Sequence, residues 1–158
     1  MKLLSVPVRK QTAGACGPYA LASVLKYLNV PVTIARLSKL TKMTRRYGTP
    51  PGNMVRAVQR LGFQVRFKEG AELKDLQNAL KKKLSPIVLW FSEDEGHYSA
   101  VVGMDRWFVY LADPELGRVR KLRRAMFRRV WFDFVTSGPE KHSRLYTRWM
   151  MVVEPSQK

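Results

Sequence analysis

The residues best placed to do chemistry lie in Gln11-Thr12-Ala13-Gly14-Ala15-Cys16-Gly17-Pro18, where a Gly/Ala loop meets the start of an apolar helix. A thiol there meets free N–H groups and the positive end of the helix dipole, both of which favour its thiolate. The same N–H groups can hold a developing oxyanion. Gly14 and Gly17 let a substrate backbone come close. The side-chain amide of Gln11 is a candidate second oxyanion donor. Taken singly, Cys16 reads more simply as a small buried hydrophobe, and Gln11 as an exposed loop residue.

His97 opens a second informative stretch, Gly96-His97-Tyr98-Ser99-Ala100-Val101-Val102-Gly103. A histidine at the start of an apolar strand can be held rigidly, as a general base must be. Asp113, followed by Pro114, ends the next apolar run. A tight turn at Asp105-Arg106 between two antiparallel strands brings the start of the first beside the end of the second. Asp113 could then hold the imidazole in one tautomer. Singly, a strand-capping histidine and an Asp-Pro turn account for these residues equally well. The joint arrangement of His97 and Asp113, rather than either residue alone, is what points to catalysis.

The elements that must position these groups follow from hydrophobic spacing. Residues 17–28 are apolar nearly all round, which predicts a buried helix with Pro18 in its first turn. Thr33 is a candidate cap for a second helix reaching about residue 43. Residues 53–61 show helical spacing, ended by Gly62. Residues 63–67 alternate as a strand, and 72–83 form an amphipathic helix with Leu73, Leu76 and Leu80 on one face. Strands are predicted at 87–91, 98–104, 107–112, 118–122 and 148–153, with a short helix at 124–130. Helices first and antiparallel strands after give an α+β plan, N-terminal helices packed on a C-terminal antiparallel sheet. We expect a single domain over residues 1–158.

Composition narrows the alternatives. At 46% hydrophobic residues the chain supports a packed core rather than disorder. No run approaches the ~18 apolar residues of a membrane helix, and the first ten residues are too short an apolar stretch for a signal peptide. One cysteine rules out an internal disulfide and suits a reducing, cytoplasmic setting. With two histidines, a metal site would need carboxylates, and no H-x-x-x-H or C-x-x-C spacing occurs. No metal or other cofactor is expected. The net charge of +17 is spread along the chain, with lysine and arginine densest in residues 36–46 and 118–129, both without acids. Such a field attracts an anionic partner, nucleic acid or acidic protein, or serves simply as a solvated surface. Trp90, Trp107, Trp131 and Trp149 sit within apolar runs and read as core or cleft wall. His142 falls in a segment, 137–143, that reads as an exposed loop.

Gln11, the Cys16-Gly17-Pro18 helix start, Gly96-His97-Tyr98 and Asp113-Pro114 together resemble the bacteriocin-processing (double-glycine leader) cysteine peptidases. Those are papain-like enzymes, and the resemblance extends to their stand-alone relatives. It implies a papain-like fold and cleavage of a peptide or protein substrate. Cys16 would attack the scissile carbonyl, Gln11 and the Cys16 N–H would bind the oxyanion, His97 would move the proton, and Asp113 would orient His97. Transporter-linked members continue into membrane helices and an ATPase, whereas this sequence stops at Lys158 and has no P-loop pattern. The double-glycine rule is therefore not carried over. The acidic stretch Glu93-Asp94-Glu95, if it borders the cleft, would favour a basic or polar substrate residue and a protonated His97. The alternative is a catalytically silent basic module of the same fold that binds nucleic acid or another polyanion.

Overall fold

The apolar run after Ala15 forms α1 (Cys16–Tyr27), whose Leu21, Val24 and Leu25 are fully buried because the helix lies directly on the central sheet. The computed structural model describes residues 1–93, 95–137 and 142–155. Two further helices follow, α2 (Ile34–Thr41) and α3 (Pro51–Arg60). Thr33 caps α2 by accepting the Arg36 N–H at 3.2 Å. After β1 (Gln64–Lys68), α4 (Leu73–Lys81) begins with a reciprocal capping box between Glu72 and Asp75. The chain continues through β2 (Ile87–Phe91), β3 (Gly96–Met104), β4 (Phe108–Asp113), β5 (Arg118–Arg123) and α5 (Arg124–Val130). It closes with β6 (Phe132–Ser137), β7 (His142–Thr147) and β8 (Trp149–Glu154).

Six strands form one antiparallel sheet in the order β1-β8-β2-β3-β4-β5. The expected α+β, papain-like arrangement is observed, with one addition. Residues alternate along β2 between two cores: Ile87 and Leu89 pack with α1–α3, Val88 and Trp90 with α4 and α5. Helices therefore cover both faces, which is why the central strands are apolar on both sides. The N-terminal arm lies along β3, the Leu4 N–H donating to the Val102 carbonyl at 2.8 Å. Among the described residues, no helix is long and apolar enough to cross a membrane.

Two expectations are corrected. Residues 137–143 are not simply a loop: Ser137 and His142 end the paired strands β6 and β7, a hairpin that the sequence reading lacked. Its polarity is inverted, with Asp133 7% exposed and its neighbour Phe134 59% exposed. Hydrophobic alternation therefore assigns the wrong face inward. The His142 side chain lies outside the described residues. Trp107 is neither core nor cleft wall; it is 59% exposed, with the Arg106 guanidinium 5.0 Å from its ring centroid.

Candidate active site

Cys16 begins α1 and is half-buried. The loop before it turns through Gly14 at φ +73°, where a Cβ would clash with the Arg45 backbone. That contact pins the Cys16 loop against the Thr44–Gly48 turn. Across the cleft, His97 stands near the start of β3 and is 4% exposed. Asp113 ends β4 and is fully buried. The β3–β4 register, Ala100 opposite Ala112, brings these two strand ends together as predicted.

His97 Nε2–H donates to Asp113 Oδ1, since an ionised carboxylate only accepts. Its other ring nitrogen is then left free for the Cys16 thiol, whose proximity also favours charge on His97. Burial opposes charge on His97, but Asp113 and Cys16 outweigh it and raise its pKa to about 9. Burial likewise opposes charge on Asp113. The hydrogen bond and charge of His97, with the nearby Arg120, nonetheless hold its carboxyl below the usual value. The Glu115 N–H donates to Asp113 Oδ1 at 2.9 Å. The structure thus brings half-buried Cys16 and buried His97 and Asp113 together.

Gln11 borders the same cleft, which has a volume of about 420 Å³. Its backbone N–H donates to the Pro114 carbonyl at 2.8 Å, tying this loop to the one after Asp113. Its Nε2 makes only a 3.4 Å contact with the Thr12 carbonyl, and its buried Oε1 has no hydrogen-bond partner among the described residues. Of the acidic stretch, Glu95 lines the cleft, Glu93 is exposed, and Asp94 lies outside the described residues.

Sequence reasoning gave Arg120, Thr49 and Asp133 no place at the site, and Trp90 and Tyr98 no specific contact there. Arg120 Nε lies 2.7 Å from Asp113 Oδ2, and its guanidinium sits 5.2 Å from the Trp90 ring centroid. Trp90 in turn meets the His97 ring edge-on at 5.8 Å. Arg120 was legible only as part of a basic run; its place two residues beyond the Asp113–Arg118 pair is the signal that could have found it. Tyr98 donates to the Thr49 carbonyl at 2.8 Å, fixing the floor of the cleft. Thr49 and Asp133 complete its walls.

His97, Asp113 and Glu115 also offer ligand atoms within 4.8 Å of one another, the one such group among the described residues. Asp113 already accepts from His97 through Oδ1, and Arg120 faces Oδ2 with its own positive charge. The cluster fits a hydrogen-bond network better than a cation site.

The fold is similar to that of several solved structures. The peptidase domain of Streptococcus ComA, described as a bi-functional ABC transporter involved in a quorum-sensing pathway, superposes with a TM-score of 0.75 at 22% identity. That match covers 96% of this chain and 99% of that one. A double-glycine motif protease from an AMS/PCAT transporter, solved in complex with its leader peptide, gives 0.71 at 22% identity over 98% and 94% of the two chains. A C39-like peptidase from Bacillus anthracis gives 0.74 at 15% identity over the whole of both chains. In sequence, an uncharacterized protein of Methanothermobacter thermautotrophicus is 35% identical over 126 residues, 80% of this chain and 82% of that protein. The transport/processing ATP-binding protein ComA of Streptococcus pneumoniae is 31% identical over 121 residues, 73% of this chain but 16% of that protein. The model of the peptidase C39 family matches residues 5–157, and to that family of papain-like peptidases the chain belongs.

Proposed function

We propose that the chain is a cysteine peptidase whose nucleophile is Cys16, with His97 as its proton carrier and Asp113 as the group that orients His97. The observation that carries this reading is the buried His97–Asp113 pair beside Cys16 in one cleft, with Cys16 close enough to raise the pKa of His97. At neutral pH His97 already holds the proton, and the Cys16 sulfur paired with it attacks the scissile carbonyl. The Cys16 N–H at the start of α1 and the Gln11 Nε2 bind the oxyanion. Gln11 Nε2 is held only weakly in the free protein, so an oxyanion would outcompete its present partner. On collapse, His97 protonates the departing amine and leaves a thioester. Water, deprotonated by His97, then attacks the thioester, and Cys16 leaves with its proton restored.

The whole of residues 1–158 acts in this reading as one peptidase domain. A peptide substrate is supported by the AMS/PCAT relative, which was solved with its leader peptide. A lone thiol that must stay reduced to work supports a cytoplasmic setting. The test uses the single cysteine. Iodoacetamide should alkylate Cys16 at neutral pH on the order of tenfold or more faster than a free peptide thiol, and His97→Ala should abolish the difference. A wild-type rate equal to that of the free thiol would sink the assignment.

A further inference from the structure

One wall of the cleft carries two carboxylates that the proposed chemistry does not use, Asp133 and Glu95. Asp133, on β6, is 7% exposed, and its carboxylate lies directly over Gly96, where a Cβ would overlap it. The nearby Phe134 N–H favours its charged form. Among the described residues, no lysine or arginine forms an ion pair with it. Burial lifts its pKa to about 6 against that N–H, and the charge of Glu95 adds to the rise. Asp133 is therefore mostly ionised at neutral pH, in a chain with 29 Lys and Arg against 12 Asp and Glu. A buried carboxylate left without a cation is costly.

A second observation is independent of the acids. Thr49 is 5% exposed and lines the same cleft, yet its buried hydroxyl oxygen has no hydrogen-bond partner among the described residues. The groove beside Cys16 and His97 thus holds an unmet negative charge and an unmet hydroxyl. Arg45 and Arg46 border the cleft too, but they are exposed on the Thr44–Gly48 turn, and the Arg46 guanidinium lies 5.3 Å from the Tyr47 ring centroid.

We propose that Asp133, with Glu95 beside it, forms a subsite for a cationic side chain, lysine or arginine, next to the scissile bond of the substrate. The Thr49 hydroxyl hydrogen-bonds the peptide backbone there. This deepens the peptidase reading of the cleft and rests on it. It also gives the β6–β7 hairpin a role, because that hairpin brings Asp133 to the cleft.

The test has two arms on the same protein. In the first, Cys16 is labelled with 2-aminoethyl methanethiosulfonate (cationic), methyl methanethiosulfonate (neutral) and 2-sulfonatoethyl methanethiosulfonate (anionic), and rates are read by intact mass at pH 8. The ratio of cationic to neutral rate should fall several-fold in Asp133→Asn, and Glu95→Gln should lower it by less. Glu95 is exposed, so its variant reports even if Asp133→Asn fails to fold. In the second arm, fluorogenic peptides carry Lys, Arg or Gln at each position flanking the cut. A preference for Lys or Arg on the order of ten- to a hundredfold is expected at one position, reduced in Asp133→Asn. A labelling ratio unmoved by both variants, or cleavage without any cationic preference, overturns the subsite. If no peptide is cleaved while the labelling ratio still responds, the peptidase reading fails and the cation subsite stands.

Discussion

His97 sets the pH range of the proposed chemistry. Burial works against its charge, yet Asp113 and Cys16 raise its pKa from 6.5 to about 9. The stabilisation that comes with this raised value is fully present below pH 6.5 and is lost as pH rises through about 9. Asp113, held below its usual 3.8, keeps the pair ionised down to acid pH. Peptide hydrolysis should therefore hold level through neutrality and fall along an alkaline limb near pH 9, read as kcat/KM. A limb near 6.5 would show that the imidazolium is not paired. Asp113→Asn should move the limb down and lower kcat by on the order of 10³-fold. It also leaves Arg120, 15% exposed, with only the half-exposed Glu115 as an anionic partner, so the melting temperature should fall with it.

At the scale of elements, α1 and β3 were legible because their apolar runs are long and end in Gly or Pro signals. The Thr33 cap of α2 and the β3–β4 turn were legible too, whereas the Glu72–Asp75 capping box of α4 was not; α1, β3 and that turn carry the meeting of Cys16, His97 and Asp113. Elements whose polarity is inverted for the site's sake were not legible. β6 turns Phe134 outward and Asp133 inward, so neither the hairpin nor its carboxylate stood out. Arg120 was hidden in a run of arginines, and only strand register singles it out. The loop ahead of α1 is a further element-level device. Gly14→Ala must adopt φ +73° and push against the Arg45 backbone, whereas Gly70→Ala, at φ +67°, meets nothing within 4 Å. Both should cost at least ~1 kcal/mol for the left-handed backbone. Only Gly14→Ala should also slow Cys16 alkylation, because only it displaces the nucleophile's loop. Equal alkylation rates in the two variants would show that the Gly14 contact does not position Cys16.

The whole molecule carries far more cations than it pairs. The described ion pairs, Arg66–Glu154, Lys68–Asp75, Lys74–Glu72, Arg144–Glu69 and the Arg120 contacts, engage a minority of the 29 lysines and arginines. Most of these pairs are at the surface, where each contributes ~0–1 kcal/mol and weakens with salt. The opposing effect is the mutual repulsion of a net charge of +17, which compaction makes worse and salt relieves. The Debye length shrinks from about 30 Å at 0.01 M to about 8 Å at 0.15 M, so repulsion across the molecule is screened over that range. The buried His97–Asp113 pair is shielded from salt by burial and stays. Repulsion should therefore dominate the balance, and the melting temperature should rise by several degrees between 0.01 M and 0.15 M sodium chloride. A fall over that range would mean that the surface pairs, rather than the net charge, govern the electrostatics of the folded state.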